Sequence, residues 1–362
     1  MSLFVDIEKI FKGFALKVKF HTEEGVLGIL GASGCGKSMT LKCIAGILTP
    51  DRGRIVLNGR VLYDSEKKIN LKPQKRKVGY LFQDYALFPN KTVEENVCCT
   101  RKKKDWQDVR KWIEFFQLQG LEKLYPHQLS GGQKQRTAFA RMMAASPELL
   151  LLDEPFSALD THLREKLQME LAGILKSLGK DTVLVTHSRD EAYRLCQDLL
   201  ILDRGENVCQ GNTKEIFEKP VYLEGAQITG CKNFSPVKKI DGSHFLAEDW
   251  GVLLHAEQSL DGAGYVGIRA HYFLPAAEEG ENVFPVCRAR ITQSPFEIYV
   301  TFYTGRERPG TEPVWWKISK EVWYGEMKEQ LPDFVRISPG NLMLLKTKEG
   351  RNMENPQKML DI

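Results

Sequence analysis

The stretch GASGCGKS, residues Gly31–Ser38, decides the fold of this chain. It fits the pattern G-x-x-x-x-G-K-[ST], whose glycines let backbone N–H groups wrap a phosphate while the following helix adds a positive end. The apolar run VLGIL at Val26–Leu30 precedes it, as is typical of a buried parallel strand. A helical stretch follows over Lys37–Leu48. This order predicts a phosphate-binding loop in which Lys37 reaches the β- and γ-phosphates and Ser38 offers its hydroxyl to Mg²⁺.

Two further apolar runs predict more strands of the same sheet. They are LLLLD at Leu149–Asp153 and TVLVT at Thr182–Thr186, separated by a charged amphipathic helix over about 161–178. Strands that alternate with helices favour a parallel α/β sheet, which binds ligands at the carboxyl ends of its strands. At that edge Asp153 would hold Mg²⁺, directly or through water. Glu154 would take a proton from an attacking water or orient it.

A second anion site is predicted at LSGGQKQR, residues Leu129–Arg136. Ser130 and Gln133 have the spacing of a capping box, so a helix should begin here with two exposed glycines, Gly131 and Gly132. The N–H groups at such a helix start can bind an anion. A domain that already binds phosphates at its own loop has no evident use for another such site. We therefore infer that this one serves the nucleotide of a partner subunit.

The segment that lies before the strand LLLLD has a helical pattern. Residues from about 84 to 148 are predicted to form a helical subdomain. Five apolar side chains fall on one helix face, and we interpret them as a packed face and not as a cofactor box: Trp106, Val109, Trp112, Ile113 and Phe116. The basic run at 101–104 is interpreted as a solvated helix start, with a contact to the cytoplasmic membrane leaflet as the alternative.

The last third of the chain is predicted to be a separate small β domain. We place the domains at residues 1–231 and 232–362. The run FEIYVTFYTG at Phe296–Gly305 alternates strictly between apolar and polar residues. It would put four side chains on one buried face: Phe296, Ile298, Val300 and Phe302.

Composition limits the classes of protein that fit. The chain has 362 residues, of which 42% are hydrophobic and 27% charged, as in ordinary globular proteins. Lysine and arginine (51) nearly balance aspartate and glutamate (47), and the net charge of +4 gives little grip on nucleic acid, so no nucleic-acid partner is predicted. The sequence has no apolar run of 18 residues, so no transmembrane helix is predicted. The N-terminal segment has no pattern that predicts secretion.

Five motifs together resemble the nucleotide-binding subunit of an ABC transporter, over roughly residues 1–225. In chain order they are GASGCGKS, LSGGQKQR, LLLLDEP, SALD at 157–160 and VTHSRDEA at 185–192. The resemblance implies an α/β P-loop NTPase fold with a helical subdomain, and ATP hydrolysis with Mg²⁺. It also implies two copies packed head to tail around two ATP molecules. Ser130, Gly131, Gly132 and Gln133 would then bind the nucleotide of the other chain, and Asp160 would bridge the two.

The same resemblance gives roles to residues outside the phosphate loop. Gln83 matches the Q-loop glutamine, which touches Mg²⁺ or the attacking water and senses the membrane partner. His187 matches the histidine that steadies the γ-phosphate in the transition state, with a purely structural histidine at a strand end as the alternative. Phe11 matches the aromatic residue that stacks on adenine, and Phe14 is the alternative.

The full ATP-binding set of the loop follows from the motif and the resemblance. It consists of Gly31, Ala32, Ser33, Gly34, Cys35, Gly36, Lys37, Ser38 and Met39. Ala32 stands where a proline is common in the family, which should loosen the loop slightly. Met39 stands where most relatives have threonine. Because Ser38 supplies the metal hydroxyl, neither departure argues against activity.

The arrangement of the chain resembles importer subunits in particular. One ATPase unit, the phrase LFQDYALFPNKTVEEN at 81–96 and a C-terminal β domain are similar to bacterial or archaeal importers for oxyanions, polyamines, iron or sugars. This implies two integral-membrane permease subunits, an extracytoplasmic substrate-binding protein and a peripheral position at the cytoplasmic face of the membrane. A soluble ABC ATPase acting on ribosomes or DNA is the alternative from another class. Such proteins usually carry two ATPase units or a long coiled-coil insertion.

Two segments resemble molybdate-importer ATPases most. They are PVYLEGAQITGCKNFSPVKKI at 220–240 and VGIRAHYF at 266–273. The expected cargo is therefore molybdate or tungstate, followed by sulfate or thiosulfate, and then other importer cargo. The C-terminal domain would be an OB/TOBE-like barrel, which in some relatives binds the oxyanion as a regulator.

Overall fold

The structure is a computed structural model that describes residues 2–99, 106–157, 161–305 and 312–348. The chain divides into two compact units, Met1–Lys214 and Glu215–Ile362. Residues 215–231 lie in the second unit, and the domain boundary at 231/232 stays a prediction. The basic run at 101–104 and Asp160 lie outside the described residues.

The described residues of the first unit form a sheet of eleven strands. In chain order these are β1 (Leu3–Phe11), β2 (Phe14–Thr22), β3 (Val26–Leu30), β4 (Arg52–Leu57), β5 (Arg60–Asp64), β6 (Ile69–Asn70), β7 (Val78–Leu81), β8 (Leu149–Asp153), β9 (Thr182–Thr186), β10 (Asp198–Asp203) and β11 (Glu206–Asn212). Their order across the sheet is β6-β5-β4-β1-β2-β11-β10-β3-β9-β8-β7. The five strands from β10 to β7 are parallel, which confirms the predicted α/β sheet. The N-terminal strands β1 and β2 pair antiparallel.

Helices connect these strands. They are α1 (Lys37–Ala45), α2 (Pro73–Arg76), α3 (Val93–Cys98), α4 (Trp106–Phe115), α5 (Gly131–Ala144), α6 (Thr161–Leu178) and α7 (Arg189–Leu195). Between β7 and β8 the chain forms α3, α4 and α5, which is the predicted helical region. Val109, Ile113 and Phe116 are buried there as expected, but Trp106 is 41% exposed, because it is the first residue of α4.

Helix α1 is shorter than the sequence predicts. It ends at Ala45 and not at Leu48, because Gly46 takes a left-handed conformation (φ 79°) and closes the helix. The guanidinium of Arg76 then occupies the end of the helix. Its Nη1 donates to the carbonyl oxygens of Cys43 and Ile44, both at 2.8 Å, and the side chain is fully buried.

The described part of the second unit is almost entirely β-structure. Two short helices come first, α8 (Thr213–Glu218), which starts just before the unit, and α9 (Leu223–Ile228). The strands are β12 (Asn233–Lys239), β13 (His244–Ala247), β14 (Val252–His255), β15 (Tyr265–Ile268), β16 (Leu274–Ala276), β17 (Val283–Pro285), β18 (Cys287–Gln293), β19 (Glu297–Tyr303), β20 (Val314–Ser319), β21 (Phe334–Arg336) and β22 (Met343–Leu345). They form three sheets, in the orders β14-β13-β12-β15-β22, β16-β21-β17 and β18-β19-β20. The small all-β domain is thereby confirmed, and its likeness to a TOBE barrel stays a prediction.

The prediction of the buried face in this unit is wrong for one residue. Ile298, Val300 and Phe302 are fully buried, whereas Phe296 is 83% exposed. The reason is that β19 begins at Glu297, so Phe296 belongs to the turn between β18 and β19 and not to the strand.

Candidate active site

Four neighbouring parallel strands bring the predicted site residues to one edge of the sheet. The order β3-β9-β8-β7 places the carboxyl ends of these strands side by side. The phosphate loop follows β3, and His187 follows β9. Glu154 follows β8, and the exposed Gln83 lies two residues beyond the end of β7. The edge is the position at which parallel α/β sheets bind their ligands.

The phosphate loop needs its glycines. Gly36 is left-handed (φ 107°), and a Cβ on it would lie 2.6 Å from Leu16 and 3.2 Å from the ring of Phe14. A Cβ on Gly31 would lie 2.1 Å from the carbonyl oxygen of Leu202. Gly36 also precedes the first residue of α1 and has no side chain with which to cap the helix. The first N–H groups of α1 therefore face the loop without a side-chain cap from Gly36.

The side chain of Lys37 is folded against its own loop. It is buried, and its Nζ donates to the carbonyl oxygens of Gly31 and Ala32, both at 2.8 Å. Ala32, Ser33 and Gly34 are exposed at the crest of the loop. The ammonium group is thus held by the carbonyls at the start of the loop.

Ser38 and Asp153 meet as the sequence predicts. The Ser38 hydroxyl donates to one carboxylate oxygen of Asp153 at 2.7 Å, and the hydroxyl of Tyr80 donates to the other, also at 2.7 Å. Burial, and then this hydrogen bond, raise the pKa of Tyr80, so the phenol keeps its proton and remains a donor. A hydroxyl and one carboxylate suit Mg²⁺, which in nucleotide sites takes its other ligands from phosphates and water. The donor set therefore fits the metal.

Sequence reasoning missed Tyr80. Its side chain reaches Asp153 because β7 is hydrogen-bonded to β8, with Tyr80 paired to Leu151. No local sequence pattern around Tyr80 predicts the pairing of β7 with β8. The residue lies within β7, just before the Q-loop match, and a tyrosine is ordinary in a strand.

Glu154 and His187 also come together. The Nδ1 atom of His187 lies 3.2 Å from Oε2 of Glu154, and the side chains are 52% and 18% exposed. Glu154 has a left-handed backbone (φ 45°), and its N–H donates to the carbonyl of Val185 in β9 at 3.0 Å. The carboxylate is thus at the solvent-accessible edge of the sheet and in contact with an imidazole.

The predicted capping box at the start of α5 is confirmed. The Ser130 hydroxyl accepts from the N–H of Gln133 at 3.3 Å, and the Gln133 side chain accepts from the N–H of Ser130 at 2.9 Å. Ser130 is exposed. The predicted exposure of Gly132 is wrong, because this residue is buried against α6, where a Cβ on it would lie 3.3 Å from Leu167.

The two candidate adenine-stacking rings lie together. Phe11 and Phe14 face each other across the β1–β2 turn, with ring centroids 6.0 Å apart. The Phe14 ring packs under the phosphate loop at Gly36 and against Gly205. Met39 is partly buried against the same core.

Comparison with known proteins agrees with this geometry. The sequence profile of the ABC transporter family matches residues 15–157. The Fe(3+) ions import ATP-binding protein FbpC of Haemophilus influenzae is 33% identical over 291 residues, which cover 78% of this chain and 82% of that protein. The chain belongs to the ABC transporter family. Within it, the sulfate/thiosulfate import ATP-binding protein CysA 2 of Chromobacterium violaceum is 42% identical over 59% of this chain and 58% of its own length.

Two further comparisons bear on fold and function. The molybdenum import ATP-binding protein ModC of Aliivibrio fischeri is 37% identical over 60% of both chains. A solved dimeric structure of a bacterial ABC transporter cassette is 28% identical, with a TM-score of 0.50 over 59% of this chain and 99% of that one. The first unit therefore has the ABC ATPase fold, and the chain is an ATP-binding subunit of the ABC importer type. In the described residues, no helix has the length and apolar character needed to span a membrane.

Proposed function

We propose that this ABC protein hydrolyses ATP at the edge formed by β3, β9, β8 and β7, to drive import of an oxyanion. The observation that carries the proposal is the pair of contacts at that edge. Ser38 meets Asp153 at 2.7 Å, and Glu154 meets His187 at 3.2 Å. A metal-type donor pair and an acid–base pair beside one phosphate loop are the parts that phosphoryl transfer to water requires.

The residues of this chain divide the work as follows. Lys37 binds the β- and γ-phosphates in place of the carbonyls of Gly31 and Ala32, and the loop N–H groups bind the other oxygens. Ser38, Asp153 and Gln83 would hold Mg²⁺, which when bound neutralises charge on the phosphates. Glu154 takes a proton from the attacking water or orients it.

His187 has a role distinct from that of Glu154. With its Nδ1 turned to the Glu154 carboxylate, its Nε2 is left to meet the γ-phosphate. With a proton on both ring nitrogens, His187 would donate from Nδ1 to Glu154 and from Nε2 to an oxygen of the transferred group, which would stabilise the charge that develops in the transition state.

The adenine base is proposed to stack on Phe11. The ring of Phe14 packs against the backbone of the loop, because a Cβ on Gly36 or Gly205 would lie 3.2 or 3.1 Å from it. Phe11 lies beside it at the end of β1, and both rings are partly buried. The contact of Phe14 with the loop supports the choice of Phe11.

A second copy of the chain completes each site in this proposal. The capping box of α5 begins at the exposed Ser130, at a helix start separate from the phosphate loop, and the related cassette is described as dimeric. Ser130, Gly131, Gly132 and Gln133 would bind the γ-phosphate held by the partner's loop, and Asp160 would bridge the copies. ATP closes this dimer because only the closed state gives the nucleotide both sets of contacts.

Membrane partners are proposed at the surface that follows Gln83. In this surface Phe88 is 45% exposed and carries the ammonium of Lys91 at 4.8 Å from its ring centroid. A short cytoplasmic helix of each of two permease subunits would dock over about 83–95. The chain is thus peripheral on the cytoplasmic side of the membrane, and an extracytoplasmic binding protein delivers the cargo.

The cargo proposal rests on sequence likeness. Molybdate or tungstate is proposed first, with sulfate or thiosulfate second. Relatives named for sulfate/thiosulfate, Fe(3+) ions, molybdenum and putrescine all match this chain. Isothermal titration of the full chain with molybdate, tungstate and sulfate tests whether it binds an oxyanion as a regulator. Preferential binding of molybdate supports that cargo, and a preference for sulfate contradicts it.

The test of the ATPase proposal is phosphate release by the purified chain with ATP and Mg²⁺. Release should require Mg²⁺ and should fall about 100-fold to 10,000-fold in Glu154→Gln, whose side chain keeps its size but loses its basicity. Release that continues unchanged in that variant would overturn the proposed site.

A further inference from the structure

The carbonyl oxygen of Pro155, the residue after Glu154, joins two other parts of the first unit. Gln135 of α5 donates to it from Nε2 at 3.0 Å. The hydroxyl of Tyr85, two residues after Gln83, donates to it at 3.4 Å. The carbonyl oxygen of Pro155, next to the proposed catalytic Glu154, thus accepts hydrogen bonds from α5 and from the segment after Gln83.

The peptide at this point is held in an unfavourable conformation. Glu154 has φ 45°, in the left-handed region that L-residues rarely adopt. The next residue is a proline, which restricts the backbone of the residue before it still further. Such a conformation persists only where the surroundings enforce it. The bonds that Pro155 accepts are among those surroundings, together with the bond from the Glu154 N–H to Val185.

The two donors are themselves tied together. Arg141, also on α5, donates to the carbonyls of Tyr85 and Ala86 at 2.7 and 2.6 Å. Tyr85 and Ala86 are both left-handed, with φ 62° and 43°. Helix α5, this turn and Pro155 therefore form a closed ring of hydrogen bonds.

Burial makes these bonds specific. Gln135 and Tyr85 are 3% and 4% exposed, so water cannot replace either donor. Burial raises the pKa of Tyr85 to about 12, which keeps its hydroxyl protonated. Phe156, the next residue along the chain, is fully buried in the same core and anchors the far side of the peptide.

We propose that Gln135, assisted by Tyr85, is a positioning residue that fixes the left-handed turn at Glu154 and so aims its carboxylate at the attacking water. The proposal rests on the hydrolytic role proposed for Glu154. Neither side chain is among the residues proposed to bind the phosphates. Loss of the donor should therefore slow the chemical step and leave nucleotide binding intact.

The first test is Gln135→Met, which keeps the volume and removes the donor. We expect kcat for ATP hydrolysis to fall about tenfold to a hundredfold, the range for a misplaced catalytic group, with KM for ATP unchanged. A variant that folds, binds ATP and hydrolyses it at the wild-type rate would overturn the proposal.

A second variant keeps the proposal testable if Gln135→Met fails to fold. Gln135→Glu has the same length, cannot donate when ionised and can donate again when protonated. Its rate relative to wild type should therefore rise as the pH is lowered. A ratio that is equal at every pH, in a folded protein, contradicts positioning by donation.

Tyr85 has a matched control in the same unit. Tyr85→Phe removes the hydroxyl that reaches Pro155, and Tyr63→Phe removes a hydroxyl that donates to the carbonyl of Pro50 at 2.7 Å, away from the site edge. Both side chains are buried. We expect a severalfold loss of kcat in Tyr85→Phe and none in Tyr63→Phe. Equal losses would show that only general stability is affected.

The background Glu154→Gln separates this proposal from the one on which it rests. If Glu154→Gln lowers hydrolysis and Gln135→Met added to it lowers the residual rate no further, both proposals hold. If Glu154→Gln has no effect, the proposed function fails. Suppose instead that Glu154→Gln lowers hydrolysis and that adding Gln135→Met lowers the residual rate by the same factor as it does in the wild-type chain. Only the positioning role then fails.

Discussion

The Nδ1 atom of His187 lies 3.2 Å from Oε2 of Glu154, although 33 residues separate them in the chain. Both residues directly follow neighbouring parallel strands, β9 and β8, in which Asp153 pairs with Val185. The spacing of two hydrogen-bonded strands therefore sets the distance between imidazole and carboxylate. Such a pair is organised before any substrate arrives, and preorganised groups need little rearrangement during reaction.

Replacement of Glu154 by glutamine should separate ATP binding from ATP cleavage. The amide keeps the size of the side chain but takes no proton, and general acid–base groups contribute about 100-fold to 10,000-fold to rates. We expect phosphate release to fall by that factor while ATP still binds and holds the chain as a closed dimer. Size-exclusion chromatography with ATP checks the dimer. A monomer that binds ATP would contradict the shared-site arrangement.

Replacement of Lys37 by alanine should weaken nucleotide affinity. Each hydrogen bond to a charged group is worth about 1.5–3 kcal/mol, so Kd for ATP should rise about tenfold to a hundredfold. Lys42→Ala is the matched control, because Lys42 lies in the last turn of the same helix, away from the loop. Equilibrium binding of a fluorescent ATP analogue measures both. Tight binding by Lys37→Ala would contradict the phosphate-loop role.

The buried guanidinium of Arg76 should be a major source of stability in the first unit. Besides Cys43 and Ile44, it donates to the carbonyl of Leu71 at 2.8 Å. Arg76→Met leaves these oxygens buried without their donor, and we expect a loss of about 3 kcal/mol in the free energy of unfolding. Arg52→Met, at an exposed position of β4, should change it by less than about 0.5 kcal/mol. Urea unfolding compares them, and equal midpoints would contradict the expectation.

A histidine of the second unit should respond to pH. His244 hydrogen-bonds Asp241 at 2.9 Å and Glu281 at 3.2 Å, and the bond to Asp241 contributes most to raising the pKa of the imidazole. Hydrogen bonds from the N–H groups of Ser243 and His244, followed by the imidazole, lower the pKa of Asp241 to about 2. The side chains of His244 and Asp241 are 36% and 55% exposed, so the effect on stability is small.

The sign of each shift defines the pH window. The raised imidazole pKa stabilises the fold below its ordinary value of about 6.5, and that contribution disappears as pH rises through the folded value. The lowered carboxyl pKa stabilises it above about 3.9, and that contribution disappears as pH falls towards 2. The melting temperature of wild type minus that of His244→Gln should be largest between these limits. A difference independent of pH would contradict the pairing, as would an NMR titration of His244 that is unchanged by Asp241→Asn.

The parts of the site that the sequence predicts are those defined by local patterns. The mainly apolar strands β3, β8 and β9 have the predicted bounds, because short apolar runs are typical of buried parallel strands. The capping box at Ser130 is likewise a pattern of four residues. The proximity of Ser38 and Asp153 could be predicted because both belong to Mg²⁺-binding motifs, and parallel sheets bind ligands at the carboxyl ends of their strands.

The remaining parts depend on pairings that no short pattern encodes. Tyr80 reaches Asp153 only because β7 lies beside β8, and Gln135 reaches Pro155 only because α5 packs over that loop. Phe296 fits the alternation of its strand but falls in the hairpin turn. In each case a tertiary neighbour decides the outcome, and a single sequence does not identify that neighbour.

The arginine at the far end of α1 has an electrical consequence for the phosphate loop. A helix of nine residues is about 14 Å long and carries opposite partial charges of about half a unit at its two ends. The guanidinium of Arg76 cancels the negative end at Cys43 and Ile44, while the positive end at the loop stays uncovered. The short helix therefore acts on a bound anion almost as a single positive pole, and its attraction falls off with distance more slowly than that of a dipole.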